Sequence, residues 1–95
     1  MRDIKTPSVD EFFSAILTLE SVEECYKYFS GVCTPKEIKA IAQRFTVARM
    51  LKEKKVYSEI VTATGASTAT ISRVNRSMDE PDNGYDVVFE RLNIK

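Results

Sequence analysis

Apolar residues along this chain recur at steps of three and four, and Gly and Pro are read as confined to the joints between those runs, which predicts an all-α protein of six helices. Ser8-Val9-Asp10-Glu11 has the Ser-x-x-Glu form of a helix start, with Phe12, Phe13, Ile16 and Leu17 behind it. Ser21-Val22-Glu23-Glu24 repeats that form ahead of Cys25, Tyr26 and Phe29, and Gly31 is placed to end the second helix. Thr34-Pro35-Lys36-Glu37 opens the longest helix, because proline at the first helical position gives up only an N–H that has no partner there. This helix carries Ile38, Ile41, Ala42, Phe45, Ala48 and Leu51 as a stripe expected to be core, and should run to Lys52 or Glu53.

A charged joint, Glu53-Lys54-Lys55, separates it from a pattern of helix, tight turn and helix over residues 56–78. Val56 to Thr64 is closed by Gly65, and Thr68 to Met78 carries Ile71 and Val74 on one face. Asp79 to Gly84 reads as loop, and Tyr85, Val88, Phe89 and Leu92 give a short amphipathic helix over 84–93. The expected organisation is one domain over residues 1–95: dimerisation helices over 8–53, the paired helices over 56–78 and the final helix.

Residues 57–76 meet the physical requirements of a DNA-binding helix-turn-helix: a first helix of two turns, a turn residue free to take positive φ, and a second helix opening with small exposed side chains. Gly65 supplies the turn, while Ile60, Val61, Ile71 and Val74 are placed to fix the crossing of the two helices. Ser67 is the natural N-cap; Thr68, Ala69, Thr70 and Ser72 offer hydroxyls and methyls where a recognition helix meets the major groove. Such groups read bases weakly, so specificity should lean on water and DNA shape. Arg73 and Arg76, with Lys52, Lys54 and Lys55, are candidates for phosphate contacts that set register without reading sequence. Tyr57 and Ser58, on the first helix of the motif, complete the candidate DNA-binding set.

Composition then excludes several chemistries. With no His among 95 residues, there is no His-containing zinc site, no Ser-His dyad and no imidazole base, and an enzyme is not expected. Neither a cofactor nor a metal is implied. Cys25 and Cys33 form no CxxC pair and are expected to be buried structural thiols. No apolar run approaches the roughly 18 residues of a membrane span, which points to a soluble cytoplasmic protein. A chain this short buries only about 60–65% of its unfolded surface, so a modest core or a shared one is expected, and dimerisation would relieve the shortage.

The formal charge is zero, with 14 basic and 14 acidic residues, but its distribution is uneven. Residues 34–78 hold nine basic and three acidic residues, net +6, whereas 1–33 and 79–95 are each net −3. The basic block coincides with the long helix and the helix-turn-helix, as a local phosphate footprint requires.

The string Gly65-Ala66-Ser67-Thr68-Ala69-Thr70-Ile71-Ser72-Arg73 resembles the helix-turn-helix of the Trp repressor superfamily, and Thr34-Pro35-Lys36-Glu37 resembles the start of its central helix. Glu24-Cys25-Tyr26, Ala42-Gln43-Arg44, Val47-Ala48-Arg49-Met50-Leu51 and Asn83-Gly84-Tyr85 are similar to the TrpR-like YerC/YecD family in particular. This resemblance runs from about Val9 to Leu92. It implies a six-helix, intertwined homodimer binding double-stranded DNA at a roughly palindromic operator, acting in transcription regulation as a repressor. It also implies a candidate corepressor pocket, with Thr34, Arg44, Thr70 and Arg73 matching the family's ligand contacts. The next position departs: Val74 stands where the family has glycine, adding an isopropyl group to the ligand wall and implying a small molecule other than tryptophan. Arg44 and Arg73 suit either a clamp for an anionic, planar ligand or a structural and phosphate-contacting role. A competing reading keeps the helical fold as a protein-interaction module without specific DNA binding.

Overall fold

The computed structural model describes residues 4–95, which form six α-helices with no strand among them. They are α1 (Pro7–Ile16), α2 (Val22–Val32), α3 (Pro35–Lys52), α4 (Tyr57–Thr64), α5 (Thr68–Met78) and α6 (Gly84–Arg91). Contacts gather the chain into two compact units, one up to Pro35 and one from Lys36 to Lys95. No helix among the described residues is long and apolar enough to cross a membrane.

In the first unit, α1 starts earlier than the Ser8 signature predicts. Thr6 is its N-cap, with Oγ1 accepting the Val9 N–H at 3.1 Å, and Pro7 takes the first helical position. Proline's fixed φ suits that place, so Ser8 lies inside the helix. α2 starts where expected: Ser21 Oγ accepts the Glu24 N–H at 3.1 Å, and the Glu24 carboxylate accepts the Glu20 N–H at 2.8 Å. Gly31 does not end α2, which continues through Val32 to an extended Cys33 at φ −121°. A glycine inside a helix costs only about 1 kcal/mol, whereas Thr34, preceding Pro35, is steered away from helical backbone.

Phe12 stacks on Tyr28 with ring centroids 6.2 Å apart, joining α1 to α2. Yet neither helix has a buried residue; Leu17 is 84% exposed and Tyr26 71%. The cysteines expected in the core are not there, since Cys25 is exposed and Cys33 half-buried. Two short helices make a single layer, which covers one face of each and leaves the remaining apolar side chains open.

The second unit has a core of its own: Val47, Ala48, Ile60, Ala66, Ile71, Val74 and Phe89. The stripe predicted for α3 is corrected in part. Ala48 is buried and Ile38 and Leu51 are half-buried, but Ile41, Ala42 and Phe45 are exposed, while Val47, outside that stripe, is fully buried. An 18-residue helix is about 27 Å long, and α4–α6 supply buried partners only to its C-terminal half. Phe45 keeps one contact, with the Phe89 ring at 5.8 Å.

Two helices of this unit, α3 and α6, stop in the same way. After α3, the Lys55 N–H bonds Met50 O and the Lys54 N–H bonds Leu51 O, with Lys54 at φ 67°. After α6, the Ile94 N–H bonds Phe89 O and the Asn93 N–H bonds Glu90 O, with Asn93 at φ 61°. These are Schellman stops, and Ile94 adds the usual apolar contact by packing on the core. Asparagine tolerates the left-handed backbone, but lysine there stores strain of about 1–2 kcal/mol.

Candidate nucleic-acid interface

α4 opens at Val56, which lacks a side-chain acceptor; the Glu59 carboxylate reaches back to accept the Val56 N–H at 3.3 Å. The helix closes at Gly65, whose φ of 73° and ψ of 4° place it in the left-handed region glycine enters without steric cost. Its N–H bonds Val61 O at 2.9 Å, and Thr64 Oγ1 accepts the Ala66 N–H at 3.1 Å while donating to Ile60 O at 2.7 Å. The turn is thus locked by its own hydrogen bonds. Ala66 then enters the core and Ser67 starts α5.

Of the four apolar residues expected to fix the crossing, Ile60, Ile71 and Val74 are buried but Val61 is 36% exposed. Ile60 and Val61 are neighbours about 100° apart on the helix, so only one can face inward, and Ala66 fills the inner place instead.

The candidate DNA-binding residues divide by what their side chains already hold. Ser67 Oγ accepts the Thr70 N–H and donates to Thr70 Oγ1, both at 3.1 Å, so the Ser67 hydroxyl serves the cap and Thr70 is half-buried beside it. Ala69, Ser72, Arg73 and Arg76 share the face of α5 opposite Ile71 and Val74, by the helical period. Ala69, Arg73 and Arg76 are exposed and Ser72 half-buried. The side chains of Ser58, Thr68, Ser72, Arg73 and Arg76 make no hydrogen bond or ion pair among the described residues, which leaves them available to a ligand. Tyr57 packs partly on the core and holds α4 in place as much as it faces outward. Asn75, exposed and likewise unbonded, was not singled out by the sequence; its amide suits the donor and acceptor of an adenine edge.

The basic block stays open to an outside anion. Arg49 is paired with Glu53 at 3.2 Å, but Lys54, Lys55, Arg73 and Arg76 are exposed and unpaired among the described residues. For the candidate corepressor residues, Arg44 and Arg73 are exposed, Thr70 is half-buried, and Val74 is 3% exposed within the core. Thr34, also exposed, belongs to the first unit. The clefts of 640 Å³ beside Lys52 and Phe89, and of 420 Å³ beside Met50 and Thr62, are lined by other residues.

Six helices, a glycine turn and an exposed second helix define a helix-turn-helix protein. The Trp repressor protein family model matches residues 7–93, and the chain belongs to that family. YerC of Bacillus subtilis (strain 168), an uncharacterized protein, is 45% identical over 89 residues, spanning 94% of this chain and 86% of YerC. A TrpR-like protein from Eubacterium eligens ATCC 27750 has a solved structure that superposes with a TM-score of 0.93 at 51% identity, covering 99% of this chain and 97% of that one. A protein from Staphylococcus aureus, provisionally assigned as a Trp repressor, also gives 0.93, at 45% identity over 99% of this chain and 94% of its own. The family is a regulator fold rather than an enzyme family.

Proposed function

We propose that the protein is a sequence-specific DNA-binding transcription regulator, a repressor that occludes promoters in the cytoplasm as an intertwined homodimer. The observation that carries this reading is the outer face of α5, where Ala69, Ser72, Arg73 and Arg76 combine small side chains with two unpaired guanidinium groups. Small groups let the helix approach base edges, and the arginines hold the phosphates on either side. Exposed apolar residues of α1 and α2 support the second copy, because burial against it would recover about 1.5–3 kcal/mol for each large side chain. A two-fold dimer calls for a roughly palindromic operator with half-sites about one helical turn apart.

Selection from random duplex DNA should enrich a palindrome, with affinity falling by orders of magnitude between low and physiological salt. Enrichment of no motif, with uniform weak affinity for all duplexes, overturns the proposal. For the small-molecule side of this reading, Arg44 and Arg73 offer guanidinium groups to an anion, while buried Val74 opposes an indole. The chain has no Trp, so added tryptophan is the sole indole fluorophore; protein should leave its emission unshifted.

A further inference from the structure

One polar tie links the middle of α3 to the helix-turn-helix. Gln43 Nε2 donates to Thr64 O at 3.0 Å, across 21 residues of sequence and in a half-buried setting. Thr64 is the last residue of α4, so its carbonyl is one of the orphan acceptors of a helix end. The same residue's hydroxyl closes the turn by bonding Ile60 O and the Ala66 N–H. A carbonyl can only accept, so the side-chain atom facing it must be the amide nitrogen and not the oxygen. On the inner side of the motif, Val74 and Ile71 pack with Val47 and Ala48 of α3. Apolar packing resists separation of the two parts but is tolerant of small rotations, whereas a hydrogen bond at the turn fixes an orientation.

We propose that Gln43 is a positioning residue that sets the angle of the helix-turn-helix on the central helix through its bond to the end of α4. This rests on the DNA-binding reading for its functional consequence, but the tie itself has an independent measure. Glu at position 43 keeps the size and cannot donate when ionised; the carboxylate would also face the negative end of α4. Once protonated, it can donate to Thr64 O again. The cleft alongside is lined by Ala42, Gln43, Thr46, Ala63 and Thr64, none of them charged, so no neighbour there titrates in its stead.

The test compares wild type, Gln43→Glu and Gln43→Ala in the full chain, by amide hydrogen exchange and by binding to the selected duplex, at pH 4 and pH 8. At pH 8, Gln43→Glu should bind DNA about tenfold more weakly and exchange the Gly65 and Ala66 amides about tenfold faster. Lowering the pH should restore both in Gln43→Glu beyond any change in wild type, and neither in Gln43→Ala. Circular dichroism identifies loss of the whole fold, and Gln43→Ala supplies the exchange comparison should Gln43→Glu not fold. Exchange equal to wild type in a folded variant at pH 8, or faster exchange that pH does not rescue in Gln43→Glu, overturns the proposal. Should wild type select no duplex, the DNA-binding reading falls and the exchange arm alone decides the tie.

Discussion

The two units of this chain solve the same burial problem to different degrees. From Lys36 onward, four helices close around Ile60, Ile71, Val74 and Phe89 with Val47 and Ala48 of α3. Before that point, α1 and α2 share a ring stack and leave no residue fully buried. On the proposed function, the contrast separates two jobs. A reading element must hold its own geometry before DNA arrives, so it needs a private core; helices that complete their core with another copy must leave apolar surface open until they meet it.

The sharpest way to break this contrast is at the first unit. Replacing both Leu17 and Tyr26 by Asp should turn the proposed dimer into a monomer, weakening association by at least about a thousandfold, as sedimentation would show, since each loses about 1.5–3 kcal/mol of burial in each copy. Wild-type melting temperature should rise with protein concentration, and that dependence should vanish in the variant.

In the second unit the largest effect is Ile71→Ala, which opens a cavity under α5 and should cost about 2–5 kcal/mol in denaturant unfolding. The same truncation at Val22, exposed at 74%, should cost under about 1 kcal/mol if the first unit stays monomeric and clearly more if a partner covers it.

Smaller changes address the face rather than the core. Removing both Arg73 and Arg76 should leave unfolding within about 0.5 kcal/mol of wild type, because neither side chain is bonded among the described residues. It should also lower the salt slope of DNA binding by about 3–4, each dimer carrying two copies of each arginine. Unchanged DNA retention would favour the interaction-module reading. The smallest effect is expected at Lys54→Gly: relief of the left-handed lysine should add about 1 kcal/mol of stability while weakening DNA binding a few-fold through loss of a phosphate-reaching charge. Gain of stability with unchanged DNA affinity would place Lys54 outside the interface.

Much of the architecture was legible because it is locally encoded. Ser21, Ser67 and Gly65 act where their chemistry says they should, since capping and positive φ depend on neighbours one to four residues away. Errors of detail have equally local causes: Thr6-Pro7 outcompetes Ser8 as a start, and Pro35 rather than Gly31 stops α2. Of the candidate interface, the face of Ala69, Ser72, Arg73 and Arg76 follows from helical period and the Ser67 cap from its neighbours, whereas the further bond from Ser67 Oγ to Thr70 Oγ1 is visible only in the structure.

By itself, then, the sequence determined six helices, the glycine turn, the polar outer face of α5 and the basic middle, all properties of spacing along one chain. Only tertiary structure decided which apolar residues are core: Val47 inside and Ile41 outside, Ile60 inside and its neighbour Val61 partly out. It likewise decided that Gln43 meets Thr64. Periodicity fixes a face but not how far along it a partner reaches, and a bond spanning 21 residues has no local signature, because its partners are brought together only by the packing of separate helices.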